Sequence, residues 1–230
     1  MMDYLTLQNI IAFLPSFTLS ILPFIFAITV HEVAHGWVAK KYGDNTAFNE
    51  GRLTLNPIKH IDLVGSIIVP GLLLVFLYLN NGSGFILGWA KPVPVNPNHF
   101  KNPRANMAIV ALAGPVSNLL MAIIWALIAR AGITIGTEGE IISYAGLAGI
   151  HINLLLAIFN LLPIPPLDGS RILSGLLPNY WAWQYNKLER FGFIILIILL
   201  STNVLNTVLG YPLYITEKWF ISVIAGAQSY

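Results

Sequence analysis

The sequence predicts an all-α helical bundle embedded in a membrane. It should have about four to six membrane segments, with short β-strands or re-entrant elements toward the cytosolic side. Three observations carry that expectation. Of the 230 residues, 56% are hydrophobic and only 10% charged. A soluble domain carries roughly 25% charged residues, so this chain cannot cover a water-facing surface. The apolar residues also come in long runs that reach the roughly 20 residues a helix needs to cross a bilayer. Finally, the charges gather between those runs rather than within them.

The first run, Ile10 to Ala39, is long enough to span, with Pro15 and Pro23 expected to start or kink it. It ends where Lys40, Lys41, Gly43 and Asp44 gather, as at a headgroup boundary. No basic stretch precedes it, so a cleavable signal peptide is not expected. Leu63 to Leu79 is apolar but interrupted by Pro70-Gly71, which suggests a hairpin that dips into the membrane and returns. Met107 to Ala129, Ile141 to Leu162 and Phe191 to about Leu209 supply further spans, and Tyr211 to Tyr230 reads as an interfacial helix. Trp89, Trp125, Trp181, Trp183 and Trp219 fit interfacial belts. Arg52 to Asn56 alternates with period two, and Gly84 to Val95 is rich in Gly, Pro and aliphatic residues, so both read as short strands. One domain is expected over 1–230, with its core at about 24–177 and a C-terminal span and interfacial helix at about 190–230.

Charge orients the bundle and excludes partners. Lys40, Lys41, Arg52 and Lys59 lie in one loop region, and Lys91, Lys101 and Arg104 in a second. Arg171, Lys187 and Arg190 lie in a third, whereas the 130–140 turn sets Arg130 against Glu138 and Glu140. The positive-inside rule places the basic loops in the cytosol and the 130–140 turn outside. A net charge of +2 with no long basic run points away from nucleic acid. With no cysteine, disulfides, thiol catalysis and Cys-based zinc sites are excluded.

The strongest chemical signal is His31-Glu32-Val33-Ala34-His35. On a helix, positions i and i+4 share a face, so both imidazoles can reach one cation. Glu32 sits beside them, placed to take a proton from water. A third ligand is required, and Asp168 is the candidate, following the helix-breaking Pro163, Pro165 and Pro166. Its other reading is an N-cap for the helix that follows. His31 and His35 precede Lys40 by about 14 and 8 Å of helix. Asp168 follows its own span by a few residues, so all three can meet in the cytosolic third of a bilayer. Two histidines and one aspartate would leave an open fourth position on one zinc ion per chain, the arrangement of a catalytic site.

Three motifs together, HEVAH, ALAGPVSN and NLLPIPPLDG, resemble the site-2 protease family of intramembrane zinc metalloproteases. The resemblance runs from about Phe24 to Leu177 and includes GRLTLNP and GWAKPVPVNP, and it is closest to short prokaryotic members without PDZ or CBS domains. It implies zinc on His31, His35 and Asp168, Glu32 as general base, and Asn160 stabilising the oxyanion of the scissile carbonyl. The other reading of Asn160 is a polar residue bonded to a loop carbonyl. In the second motif, Gly114 permits close helix approach and Asn118 lines the site. The family precedent for a substrate is a single-span membrane regulator such as an anti-sigma factor.

A transmembrane substrate must open its helix before its carbonyls can be attacked, and the freed backbone needs partners. Residues 84–95 could supply a strand edge. Pro92 and Pro94 both lack an N–H, which leaves Val93 and Val95, with Lys91, as donors on the other side. A proline-rich surface loop is the alternative. His151 and Asn153, inside a span, are expected to make interhelical hydrogen bonds. His60 and Asp62 are expected to orient a loop, and His99 to lie at the surface. Two rival functions stand beside proteolysis: a zinc or cation transporter, and a catalytically silent homologue that keeps the fold.

Overall fold

The computed structural model describes residues 4–226 apart from 70, 73–74, 76–87, 89 and 203. Helix α1, Tyr4–Lys41, carries the HEVAH motif near its C-terminal end, and Pro15 and Pro23 lie inside it rather than at its start. Lys40 and Lys41 occupy the last turn, where cations complement the exposed carbonyls.

The chain leaves α1 through Gly43, at φ +104°, and reaches the single-turn helix α2, Thr46–Asn49. Asp44 is fully buried at this corner. Its carboxylate accepts from the Thr46 amide at 3.1 Å, the Asn96 amide at 2.7 Å and His99 Nδ1 at 2.7 Å. Burial works to raise the Asp44 carboxyl, but the bonds from Thr46, His99 and Asn96 outweigh it and hold the group below the usual carboxylate range. His99 is therefore half-exposed but engaged. The node fixes the segment before Phe100 against the end of α1.

Among the described residues there is no strand, which corrects the expectation at 52–56 and 84–95. Residues 52–56 are coil and bend, and so are 88 and 90–95; 84–87 and 89 fall outside the described residues. The reason is where the backbone groups go. Pro92 and Pro94 have no N–H to give a ladder. Lys91 N–H donates to His60 O at 2.9 Å, and Arg52 Nη2 donates to Lys91 O at 2.9 Å. The segment is thus pinned by side chains and a loop carbonyl, not by a neighbouring strand. His60 and Asp62 do shape their loop: His60 Nε2 lies 2.9 Å from Thr54 O, and Asp62 accepts from the Gly65 amide at 2.7 Å. Leu63–Ile68 is a π-helical turn. The reversal expected at Pro70-Gly71 lies partly outside the described residues.

Helices α3, Pro103–Ile135, and α4, Glu140–Asn160, form an antiparallel hairpin closed by the 3₁₀ turn Gly136–Gly139. Close approaches pair Gly132 with Ser143, Ala129 with Gly146 and Trp125 with Gly149. A Cβ on Gly146 would lie 2.5 Å from the Ala129 nitrogen, so the glycine is what lets the two backbones meet. Trp125 is only 7% exposed, in the core rather than at an interfacial belt. Outward, the hairpin presents Leu120, Leu127 and Ile141, all exposed, where a helix in water would carry charge. Two described stretches, Thr18–Lys41 and Pro103–Asn160, are long and apolar enough to cross a membrane, and the second contains both α3 and α4.

After the proline-rich link come α5, Asp168–Leu176, and α6, Asn179–Asn186, followed by α7, Gly192–Ser201, and α8, Val204–Trp219. The single span expected over Phe191 to Leu209 is therefore broken. At the break, Thr202 Oγ1 donates to Ile198 O at 2.8 Å, a short polar side chain competing for helix carbonyls. The tail also differs from the expected interfacial helix. Helix α8 packs on α4, and the π-helical turn Phe220–Ala225 packs on α3. Phe220 and Ala225 join Ala122, Trp125, Ile150 and Leu154 in the main apolar core. Their burial outweighs the pull of Glu217 and Lys218 toward an interface.

Candidate metal centre

Three elements bring the site together. His31 and His35 stand one turn apart on α1, their rings edge to face with centroids 4.6 Å apart. Asp168 opens α5, where the link after Asn160 returns the chain toward α1. Gly169 is needed for this approach, since a Cβ there would lie 2.2 Å from Leu161 O. Asp168 has no capping hydrogen bond of its own to make, because Leu167 occupies the N-cap position.

His31 Nε2 and His35 Nε2 are 3.0 Å apart, and Asp168 Oδ2 lies 3.1 and 3.3 Å from them. The outer nitrogens are occupied: His31 Nδ1 lies 2.6 Å from Asn118 Oδ1, and His35 Nδ1 lies 2.7 Å from Val110 O. With protons on both Nδ1 atoms, each Nε2 turns a lone pair toward the other and toward the carboxylate. Asp168 Oδ2 is accordingly buried without a hydrogen-bond partner. Three converging lone pairs repel unless a cation sits among them. A tetrahedral zinc with bonds of about 2.0–2.1 Å sets its ligands roughly 3.3 Å apart, close to the three distances seen. The residues fit the metal.

A cavity of about 560 Å³ opens beside this cluster. His31, Glu32 and Asn160 supply its polar lining, and Ile28, Phe159 and Leu196 are among its apolar walls. Glu32 Oε2 accepts from the Val93 amide at 2.7 Å. Asn160 Nδ2 donates to Leu156 O at 3.0 Å, within its own helix rather than to a loop carbonyl.

The remaining expected site residues lie differently. Asn118 is fully buried behind His31 and does not line the cavity. The Val93 and Val95 side chains turn inward. Val93 is 7% exposed and would meet a Cβ added to Gly36, and Val95 packs on the cluster of Ala39, Phe100 and Val110. His151 and Asn153 do make interhelical contacts, to Glu217 at 3.2 Å and to Asn118 at 3.1 Å. Sequence reasoning missed how Val110, Gly114 and Asn118 act together. They are spaced by four on one face of α3, and all three touch or closely face the two imidazoles. The spacing by four shows that the three share a face of α3, but not that this face meets α1.

Paired histidines beside a glutamate on a helix, a converging aspartate and an apolar helical scaffold define a membrane metalloprotease of the HExxH type. The profile of peptidase family M50 matches residues 131–202. YwhC of Bacillus subtilis is 42% identical over 196 residues, covering 81% of this chain and 84% of the relative. MJ0611 of Methanocaldococcus jannaschii is 32% identical over 196 residues, covering 80% and 87%. Rip2 of Mycolicibacterium smegmatis is 28% identical over 221 residues, covering 93% and 76%. All three carry names as zinc metalloproteases. No solved structure matches the chain. The chain belongs to peptidase family M50 and is a zinc metalloprotease of the short site-2 protease kind.

Proposed function

We propose that this protease hydrolyses peptide bonds within or near the transmembrane segments of other membrane proteins, from a site in the cytosolic third of a prokaryotic cell membrane. The observation that carries the reading is the apolar cavity whose polar groups, among the described residues, are His31, Glu32 and Asn160. Such a cavity suits an apolar peptide segment and would bind a charged soluble peptide poorly. His31, His35 and Asp168 would hold the zinc, which would supply Lewis-acid polarisation. Glu32 takes the proton of the attacking water and delivers it to the leaving amine nitrogen. The Val93 amide holds the Glu32 carboxylate in place meanwhile. Asn160 offers its amide N–H to the charge that develops on the scissile carbonyl oxygen. An opened substrate segment lies beside residues 90–95, with the Val95 main chain as a backbone partner, since the Lys91 and Val93 N–H groups already donate to His60 O and Glu32. By the family resemblance alone, the substrate class proposed is a single-span regulator such as an anti-sigma factor.

The test is direct. Purified protein should contain one zinc per chain and cut a model transmembrane peptide, and chelation should stop cleavage until zinc is restored. Cleavage that persists in zinc-free protein would overturn the reading. Metal-dependent flux of zinc into vesicles without peptide cleavage would favour transport instead.

Topology is open to a separate experiment. The basic loops around Lys59 and Lys101 both belong in the cytosol, so the chain between them enters the membrane and returns. Single cysteines at those two positions should both resist an impermeant thiol reagent in intact cells. Labelling of one alone would mean that 63–79 crosses the membrane.

A further inference from the structure

The two imidazoles are held by different kinds of acceptor. His35 Nδ1 faces the backbone carbonyl of Val110, which can only accept, so the His35 proton is fixed on Nδ1. His31 Nδ1 faces an amide side chain, Asn118, 2.6 Å away. An amide can turn over and present NH₂ instead, which would drive the His31 proton onto Nε2 and aim it at the metal position. Two backbone carbonyls prevent the turn. Asn153 Nδ2 donates to Gly149 O at 2.9 Å, which leaves Asn153 Oδ1 facing Asn118. Asn118 Nδ2 then donates to Asn153 Oδ1 at 3.1 Å and to Ala27 O at 3.2 Å. Only Oδ1 of Asn118 is left for His31. Both asparagines are 0% exposed, so water cannot replace any lost partner.

We propose that Asn118 and Asn153 are positioning residues that set the tautomer of His31, passing the polarity of the Gly149 and Ala27 carbonyls to its Nε2 lone pair. The relay joins α1, α3 and α4 at one point. A simple interhelical tie between α3 and α4 would need only the Asn118–Asn153 bond. It would not need the bonds from Asn118 to His31 and Ala27, both on α1. The inference rests on the reading that His31 is a zinc ligand. Groups that orient ligand histidines commonly tune metal affinity by 10- to 100-fold.

The experiment measures zinc affinity of full-length protein in detergent by competition with a chromophoric chelator. It also records histidine ring nitrogen shifts of the zinc-free protein well above the imidazole pKa. Asn118→Leu should weaken zinc binding about 10- to 100-fold and give His31 a mixture of tautomers. Parental affinity in Asn118→Leu, or a single Nδ1–H tautomer of His31 in that variant, would overturn the proposal. If Asn118→Leu does not fold, Asn153→Leu decides, because it removes one of the two acceptors that orient the Asn118 amide and leaves Ala27 O alone. A single Nδ1–H tautomer of His31 in that variant overturns the relay. His31→Ala separates the two levels: parental zinc affinity there would remove the ligand assignment and the relay with it. Loss of zinc in His31→Ala beside full retention in Asn118→Leu would remove the relay alone.

Discussion

Glu32→Gln is expected to stop proteolysis while leaving the zinc in place. Positioned general bases contribute about 10²- to 10⁴-fold to rate, and the amide of glutamine cannot accept a proton from water at neutral pH. The substitution is otherwise mild. A glutamine oxygen can still accept from the Val93 amide, now 2.7 Å from Glu32 Oε2, so the segment over the cavity keeps its anchor. The converging ligand atoms belong to His31, His35 and Asp168 and not to Glu32, so metal content should match the parent. Metal analysis and cleavage of a transmembrane peptide, run on the same preparations, check both halves. A variant that cuts at the parental rate would end the assignment of Glu32 as base. A variant that loses zinc would place Glu32 among the ligands.

How much of this site could be read from sequence depends on whether a residue acts through local spacing or distant packing. His31 and His35 were legible because their separation by four is itself the geometry of a helix face. Asp168 was legible because prolines force a break before it, which turns the chain after Asn160 back and lets a carboxylate at the start of the next helix meet the two histidines. Asn118 was not, since whether an asparagine lines a cavity or backs a histidine depends on the rotation of α3 against α1. The strand readings failed for a related reason. Alternation in 52–56 and the paired prolines of 90–95 describe a local backbone, but a strand exists only with a ladder partner. Here Glu32, His60 O and Arg52 took those backbone groups first. Composition likewise foresaw apolar helices but not where the last one ends. The Ser201-Thr202 break and the return of Phe220 to the core are tertiary choices that hydropathy does not record.

Gly114→Ala is expected to cost the protein its zinc while sparing its fold. In most helices this exchange is favourable by about 1 kcal/mol, so α3 itself would gain. The site would not. A Cβ on residue 114 would stand 2.5 Å from His31 Cε1 and 2.6 Å from His35 Cε1, inside the contact distance of carbon atoms. Neither ring is free to retreat, because Asn118 holds one Nδ1 and Val110 O the other. Relief must come from rotating the imidazoles or from moving α3 away from α1, and either change opens the 3.0 Å approach of the two Nε2 atoms. Overpacking of this kind costs about 1–3 kcal/mol. Charged to the metal-bound state, that corresponds to roughly a ten- to hundredfold loss of zinc affinity. Gly210→Ala provides the control, since a Cβ there meets nothing within 4 Å. Chelator competition should show Gly210→Ala at the parental affinity and Gly114→Ala far below it, with both apoproteins melting near the parent in detergent. If Gly114→Ala bound zinc as tightly as Gly210→Ala, the packing of α3 against the two histidines would have no part in holding the metal.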